Sequence, residues 1–344
     1  MRILKVTFAF LAAALLISPQ ASAAEPTAAD TPNLAQATTV GVHNTYSPDA
    51  YGYLAQSLDA GTSLVELDAW DDFLTGHWQV SHDNPVGNDN NCVATSTAAG
   101  LYSGNTNQDL GACLGDIRVW LAAHPTAGPI FVKIELKAGF QSTYGMGPSQ
   151  LDSYIKANTG NAVFRPADLL GSYSTLDAAA QANAWPSRSA LAGKMIIEVI
   201  PGTVELSNPT DTLHTDIEYA TYLKNLYASG NIGNAMVFPS VLGAASGDPR
   251  TQYSDTSIRP WFVFFDGDAS SYIDGGIDTS WYDTNHYILI MTDAQSVSPA
   301  ISDTTPTVDE ATARVQLLAA HHASVASSDW TTLNTVLPLV LPRG

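Results

Sequence analysis

Short apolar runs rich in β-branched residues recur along this chain, and between them apolar residues fall at helical spacing. The strand candidates are Thr39 to Val42, the run holding Leu64 and Val65, Trp78 to Val80, Ile130 to Lys137, Met195 to Ile200, Ala235 to Phe238, Trp261 to Phe265, Tyr287 to Met291 and Ala323 to Ala326. Helices are predicted over Pro48 to Ala60, stopped by Gly61, and over Asp116 to His124, stopped by Pro125. Three more are predicted over Ser149 to Ala157, Glu218 to Ala228 and Val308 to His321. Strands alternating with helices imply parallel pairing through right-handed crossovers, an α/β class, and the length suits one (β/α)8 barrel. Nine candidates are one too many for eight strands, and the surplus is assigned to Ala235 to Phe238 or Trp261 to Phe265. No repeat, linker or charge run marks a second domain. Residues 37–344 therefore read as a single barrel domain behind an Ala-, Thr- and Pro-rich lead-in at 24–36.

Polar groups punctuate the early strands at their C-terminal ends: His43-Asn44-Thr45-Tyr46, Glu66-Leu67-Asp68 and Ser81-His82-Asp83-Asn84, with Lys133, Glu135 and Lys137 following in Ile130 to Lys137. Alternation along a strand puts Glu66 and Asp68 on one face, about 6 to 7 Å apart at the backbone, and Lys133, Glu135 and Lys137 likewise on one face. Two carboxylates so placed can converge on a cation. A third carboxylate and the Asn44 amide complete an all-oxygen set suited to a hard ion, calcium before magnesium. Two histidines beside such an ion, with two lysines, are equipped to cleave a phosphate ester, because cations neutralise phosphoryl charge while imidazoles move protons near neutral pH.

Met1 to Ala23 carries Arg2 and Lys5, an apolar stretch from Val6 to Ile17, and Ala21-Ser22-Ala23. This is the pattern of a secretory signal peptide, and it predicts a secreted protein without a transmembrane span in its mature form. Losing it removes two positive charges and takes the formal charge from -19 to -21. So acidic a chain has no attraction for nucleic acid or an anionic membrane surface, and any phosphate recognition must be local. Cys92 and Cys113, the only two cysteines, read as a disulfide in an exported protein.

Taken in order, His43-Asn44-Thr45-Tyr46, Glu66-x-Asp68, His82 and Glu135 resemble the active-site signature of the phosphatidylinositol-specific phospholipase C catalytic domain. The chain is most similar to the secreted bacterial calcium-dependent phosphoinositide phospholipases C, members of the PLC-like phosphodiesterase superfamily. A weaker likeness continues through Trp185-Pro186, Gly193 to Glu198 and Ala323 to Asp329. The resemblance implies a distorted TIM barrel with its site at the C-terminal mouth. It implies Ca2+ held by Asn44, Glu66, Asp68 and Glu135, with His43 and His82 as the catalytic pair. Lys137 and Lys133 are expected to contact phosphate. The implied reaction releases diacylglycerol and a (cyclic) inositol phosphate from phosphatidylinositol, in transient contact with a lipid surface, by a monomer. His82 is the candidate general acid and His43 the base or charge stabiliser, an assignment that spacing leaves open.

Plainer readings compete. His43 could cap its strand, the acids could be solvated at the barrel mouth, and the lysines could serve only to neutralise buried carboxylates. A glycerophosphodiester phosphodiesterase on the same barrel is an alternative, though the first motif of the barrels it would resemble is usually His-Arg-Gly, and here His43 is followed by Asn44-Thr45. A non-catalytic calcium-dependent binding protein is another, for which two proton carriers would be superfluous. There is no Gly-x-Ser-x-Gly elbow, His-Glu-x-x-His or Walker loop to anchor a serine-esterase, zincin or nucleotide-phosphatase reading.

Overall fold

The computed structural model describes residues 33–85, 87, 89–205 and 213–344. The signal peptide and most of the lead-in therefore lie outside the described residues. Ten strands are present: β1 (Ala37–Val42), β2 (Leu64–Asp72), β3 (His77–Val80), β4 (Ile130–Leu136), β5 (Met195–Pro201), β6 (Phe238–Leu242), β7 (Phe264–Asp268), β8 (Ile288–Thr292), β9 (Val325–Ser328) and β10 (Val340–Pro342). Eight of them pair in parallel in the order β1-β9-β8-β7-β6-β5-β4-β2, and β2 returns to β1, closing a TIM barrel.

Closure is narrow. β1 meets β2 only at Gly41↔Leu64 and Val42↔Val65, because β10 occupies the same edge of β1 from Ala37 to Thr39, in antiparallel register. A Cβ on Gly41 would lie 2.8 Å from that of Leu64, so this seam needs a glycine.

The surplus strand is neither of the two assigned from the sequence. Ala235 to Phe238 and Trp261 to Phe265 both lead into barrel strands, shifted a few residues toward the C-terminus as β6 and β7. Trp78 to Val80 is the extra one. It lies in β3, which pairs antiparallel with the outer half of β2, from Ala69↔Val80 to Asp72↔His77. The connecting turn forms because Asp72 accepts from the Leu74 amide and the Thr75 hydroxyl, at 3.1 and 2.8 Å, while Gly76 takes a positive φ. A hairpin thus carries the chain out past the barrel mouth and back to Ser81-His82.

In β4, Val132, Ile134 and Leu136 alternate with Phe131, Lys133 and Glu135; the first set packs toward the surrounding helices and the second enters the barrel. The barrel interior is consequently polar at its upper levels, with Glu66, Lys133, Glu198 and Asp266 all buried.

The helix predicted over Pro48 to Ala60 spans only Leu54–Asp59. Asn91 Nδ2 donates to the carbonyls of Thr45, Ser47 and Tyr51 at 2.9, 3.1 and 2.9 Å, so the Tyr51 oxygen serves a neighbouring loop instead of a helical ladder. The second helix starts earlier than expected, at Leu110–Ala123, capped by Asp109 on the Gly111 amide. Cys92 and Cys113 are joined, tying the loop after His82 to that helix. The last residues of the lead-in belong to the body: Leu34 and Ala35 are buried, and the Leu34 amide donates to Pro186 O. Among the described residues no helix is long and apolar enough to cross a membrane.

Candidate active site

Strands of a parallel barrel all end at one face, and there the polar strand ends gather. His43 follows β1 directly. Its Nδ1 lies 2.9 Å from Asp329 Oδ1, just beyond β9, and its Nε2 lies 3.5 Å from Glu66 Oε2 on β2. Burial opposes the imidazolium, but the hydrogen bond to Asp329 and the charges of Glu66 and Asp329 outweigh it and raise the pKa to about 9. Asn44 holds a left-handed backbone, φ +50°, which lets its amide N–H donate to Glu66 Oε2 at 3.2 Å. Its Oδ1 is buried without a protein partner.

The lysines sit among the acids. Lys133 Nζ lies 3.0 Å from Glu66 Oε1 and 3.1 Å from Asp266 Oδ2; Lys137 Nζ lies 3.0 Å from Asp68 Oδ2 and 3.2 Å from Glu135 Oε1. Glu135 Oε1 also accepts from the Thr203 amide at 3.0 Å. Burial pushes the Glu66 carboxyl up, but Lys133 and then His43 outweigh it and hold the group below its ordinary value. Asp68 is pushed up to about 6, by burial first and then by Glu66 and Glu135, against the pull of Lys137. Lys133 stays charged despite burial because Asp266, Glu66 and Glu198 face it.

A cleft of about 480 Å³ opens over His43, Glu66, Lys133 and Glu135, and is lined also by Asp266, Asp268, Asp293 and Leu242. A second cleft of similar volume is lined by Asn44, Tyr46, Ser47, Pro48, Asp49, His82 and Asp89. The two adjoin where His43 is bonded to Asn44. His82 stands on the loop after β3 with its side chain 62% exposed, 3.5 Å from Asp83. Its backbone approach is steadied by Trp70, whose indole N–H donates to Ser81 O at 2.9 Å.

The donor set has the chemistry of a calcium site. All candidate ligands are oxygens, Asn44 Oδ1 is a buried acceptor that no protein group satisfies, and Asp68 and Glu135 converge on a single positive charge. Among the described residues no three carboxylate, imidazole or thiolate side chains form a ready-made metal cage, because ammonium groups lie between the acids. The set fits a hard cation that shares these carboxylates with Lys133 and Lys137.

Two partners escaped the sequence reading. Asp329 was visible only as part of the weaker C-terminal likeness, and Asp266 only as a polar residue ending an apolar run. Both stand at strand ends, which was the available signal; their pairing with His43 and Lys133 requires the closed barrel.

No family model matches the chain, and no curated protein matches it either. Solved structures do. A Ca2+-dependent phosphatidylinositol-specific phospholipase C from Streptomyces antibioticus is 51% identical, with a TM-score of 0.89, and the match covers 91% of this chain and 100% of that one. A calcium-dependent phosphoinositol-specific phospholipase C from Pseudomonas sp., in a myoinositol complex, shares the fold at 20% identity and a TM-score of 0.63, over 91% and 99% of the two chains. A second crystal form of the Pseudomonas enzyme aligns at a TM-score of 0.64. With half its residues identical to the Streptomyces enzyme over that enzyme's whole length, and with the same barrel, this chain belongs to the calcium-dependent phosphatidylinositol-specific phospholipase C family.

Proposed function

We propose that this protein is a secreted, calcium-dependent phosphoric diester hydrolase that cleaves phosphatidylinositol to diacylglycerol and a (cyclic) inositol phosphate. The observation that carries the reading is the junction at His43 and Asn44, where a charged imidazole held by Asp329 adjoins a buried, unpartnered amide oxygen beside Glu66. Asn44, Glu66, Asp68 and Glu135 would hold the ion. Calcium bound there would supply positive charge to the phosphoryl oxygens and acidify the inositol 2-hydroxyl. The His43 imidazole, charged as it stands, would steady phosphoryl charge through Nε2, and would take the hydroxyl proton only from its neutral form, while Asp329 on Nδ1 sets its orientation. His82, exposed on its loop, protonates the diacylglycerol oxygen. Lys137 lies close enough to the same carboxylates to contact phosphate. Lys133 is reconsidered below.

Contact with a lipid surface has support at the tip of the β2–β3 hairpin. Leu74 is 85% exposed and Phe73 52%, and the Phe73 ring packs at a tilt, centroids 5.0 Å apart, on Tyr144, itself 52% exposed, from the loop after β4. An apolar tip beyond the barrel mouth is the means by which so acidic a protein docks on lipid, with no basic patch required. In this reading the monomer is the working unit.

The test is head-group release from phosphatidylinositol vesicles with calcium, with excess chelator, and with His82→Ala. Calcium-dependent release of a cyclic inositol phosphate that His82→Ala abolishes is expected. Release unchanged in chelator overturns the metal assignment, and release of glycerophosphoinositol products in its place overturns the reaction.

A further inference from the structure

Lys133 enters the barrel from β4 and is almost wholly buried, as are the two carboxylates it touches. Glu66 is its register neighbour on β2, and Asp266 comes from β7, three strands further round. The ammonium thus bridges the barrel interior. It takes Glu66 Oε1, leaving Oε2 to the Asn44 amide and the His43 imidazole. Glu198, next to Lys133 in register on β5, brings a third carboxyl to the same level.

A group in this position is poorly placed to reach a phosphate. Moving Lys133 toward substrate would strip two buried carboxylates of their counter-charge at once, a loss that buried ion pairs resist strongly. Its effect is more naturally exerted through Glu66. Asp266 shares the ammonium, so Lys133 anchors one Glu66 oxygen without neutralising the carboxylate fully. Partners that orient a ligand and tune its charge in this way set metal affinity.

We propose that Asp266 is a positioning residue for the calcium site, acting across the barrel through Lys133 on Glu66, and that Lys133 is part of this relay instead of a phosphate ligand. The inference rests on the calcium reading given above. With Asp266→Asn the ammonium falls to Glu66 alone, Glu66 becomes the weaker ligand, and the ion is held less tightly.

The test is calcium titration by calorimetry, without substrate, on the full protein and on Asp266→Asn, Lys133→Met and the double variant, with thermal unfolding beside each. Asp266→Asn is expected to weaken calcium binding by about tenfold. In the Lys133→Met background the same change is expected to do much less, because the relay is already cut. If Asp266 acts on calcium only through its own charge, the loss is the same in both backgrounds, and the relay is overturned. Equal calcium affinity in Asp266→Asn and the parent protein also overturns it. Should Lys133→Met fail to fold, Lys133→Gln removes the charge in its place and is read the same way: a much smaller Asp266 effect there supports the relay, and an undiminished one overturns it. No calcium binding by the parent protein overturns the calcium reading itself, and this inference with it.

Discussion

His43 and Asp329 join the first barrel strand to the last: Nδ1 lies 2.9 Å from Oδ1, across residues that 286 positions separate in the chain. The two meet because β1 and β9 are hydrogen-bonded neighbours and each contributes the residue just past its end. Charge on the imidazole is therefore a property of the closed barrel.

Replacing Asp329 with Asn keeps the shape and removes the charge. In calcium-free protein the His43 pKa, about 9 in the parent, is expected to fall by more than about one unit, read by the ring-proton titration in NMR. A raised histidine pKa stabilises the fold fully below the unfolded value of 6.5 and loses that contribution as pH climbs through about 9. The variant should lose this stability gradient between those values. Its turnover is expected to drop by about tenfold or more at saturating calcium. An unchanged titration curve would show that Glu66 alone holds the proton.

The hairpin tip separates surface docking from chemistry. Burying a leucine side chain is worth about 2 kcal/mol, so Leu74→Asp should weaken vesicle binding by about tenfold or more. Hydrolysis of a monomeric, short-chain phosphatidylinositol below its micellar concentration should stay at the parental rate. Equal losses on both substrates would place the tip in the reaction itself, and no loss on vesicles would remove it from the lipid contact.

Asp152 offers a test of the fold away from the mouth. It sits in the helix Pro148–Thr159, buried, and accepts from Tyr219 Oη at 2.6 Å and the Met236 amide at 3.0 Å. Burial outweighs these hydrogen bonds and pushes its pKa up to about 7 from 3.8. The unfolded chain then loses the proton first, so stability falls as pH rises from 3.8 through about 7. Asp152→Asn should flatten that part of the profile, by on the order of 4 kcal/mol between its ends. Urea midpoints at pH 5 and pH 8 for both proteins decide it; parallel profiles would mean that Asp152 is already ionised in the native state at pH 5.

Much of the architecture was legible from local pattern. Ile130 to Leu136, Met195 to Pro201 and Val308–Ala320 are strongly periodic, and the apolar runs before Asp266 and Asp293 read as strands a few residues from where they lie. Trp78 to Val80 misled because an antiparallel hairpin strand and a barrel strand share the same two-residue alternation. Only the turn at Asp72 to Gly76 distinguished them, and its signal is weak beside the apolar run that follows. The helix over Pro48 to Ala60 failed at its start for a related reason: Asn91, far along the chain, takes the Tyr51 carbonyl that a helix would have used.

The sequence by itself determined the parallel barrel, the carboxylates Glu66, Asp68 and Glu135 on inward faces, and the histidines His43 and His82 at strand ends. These follow from the period of a strand and the direction of a parallel sheet, both local properties. Tertiary structure alone decided that Asp329 charges His43, that Lys133 spans from Glu66 to Asp266, and that Asn44 Oδ1 faces the interior without a partner. Those contacts join residues from strands distant in sequence, and no spacing along the chain encodes them. They arise when barrel closure excludes water and each buried charge must find an opposite one within reach.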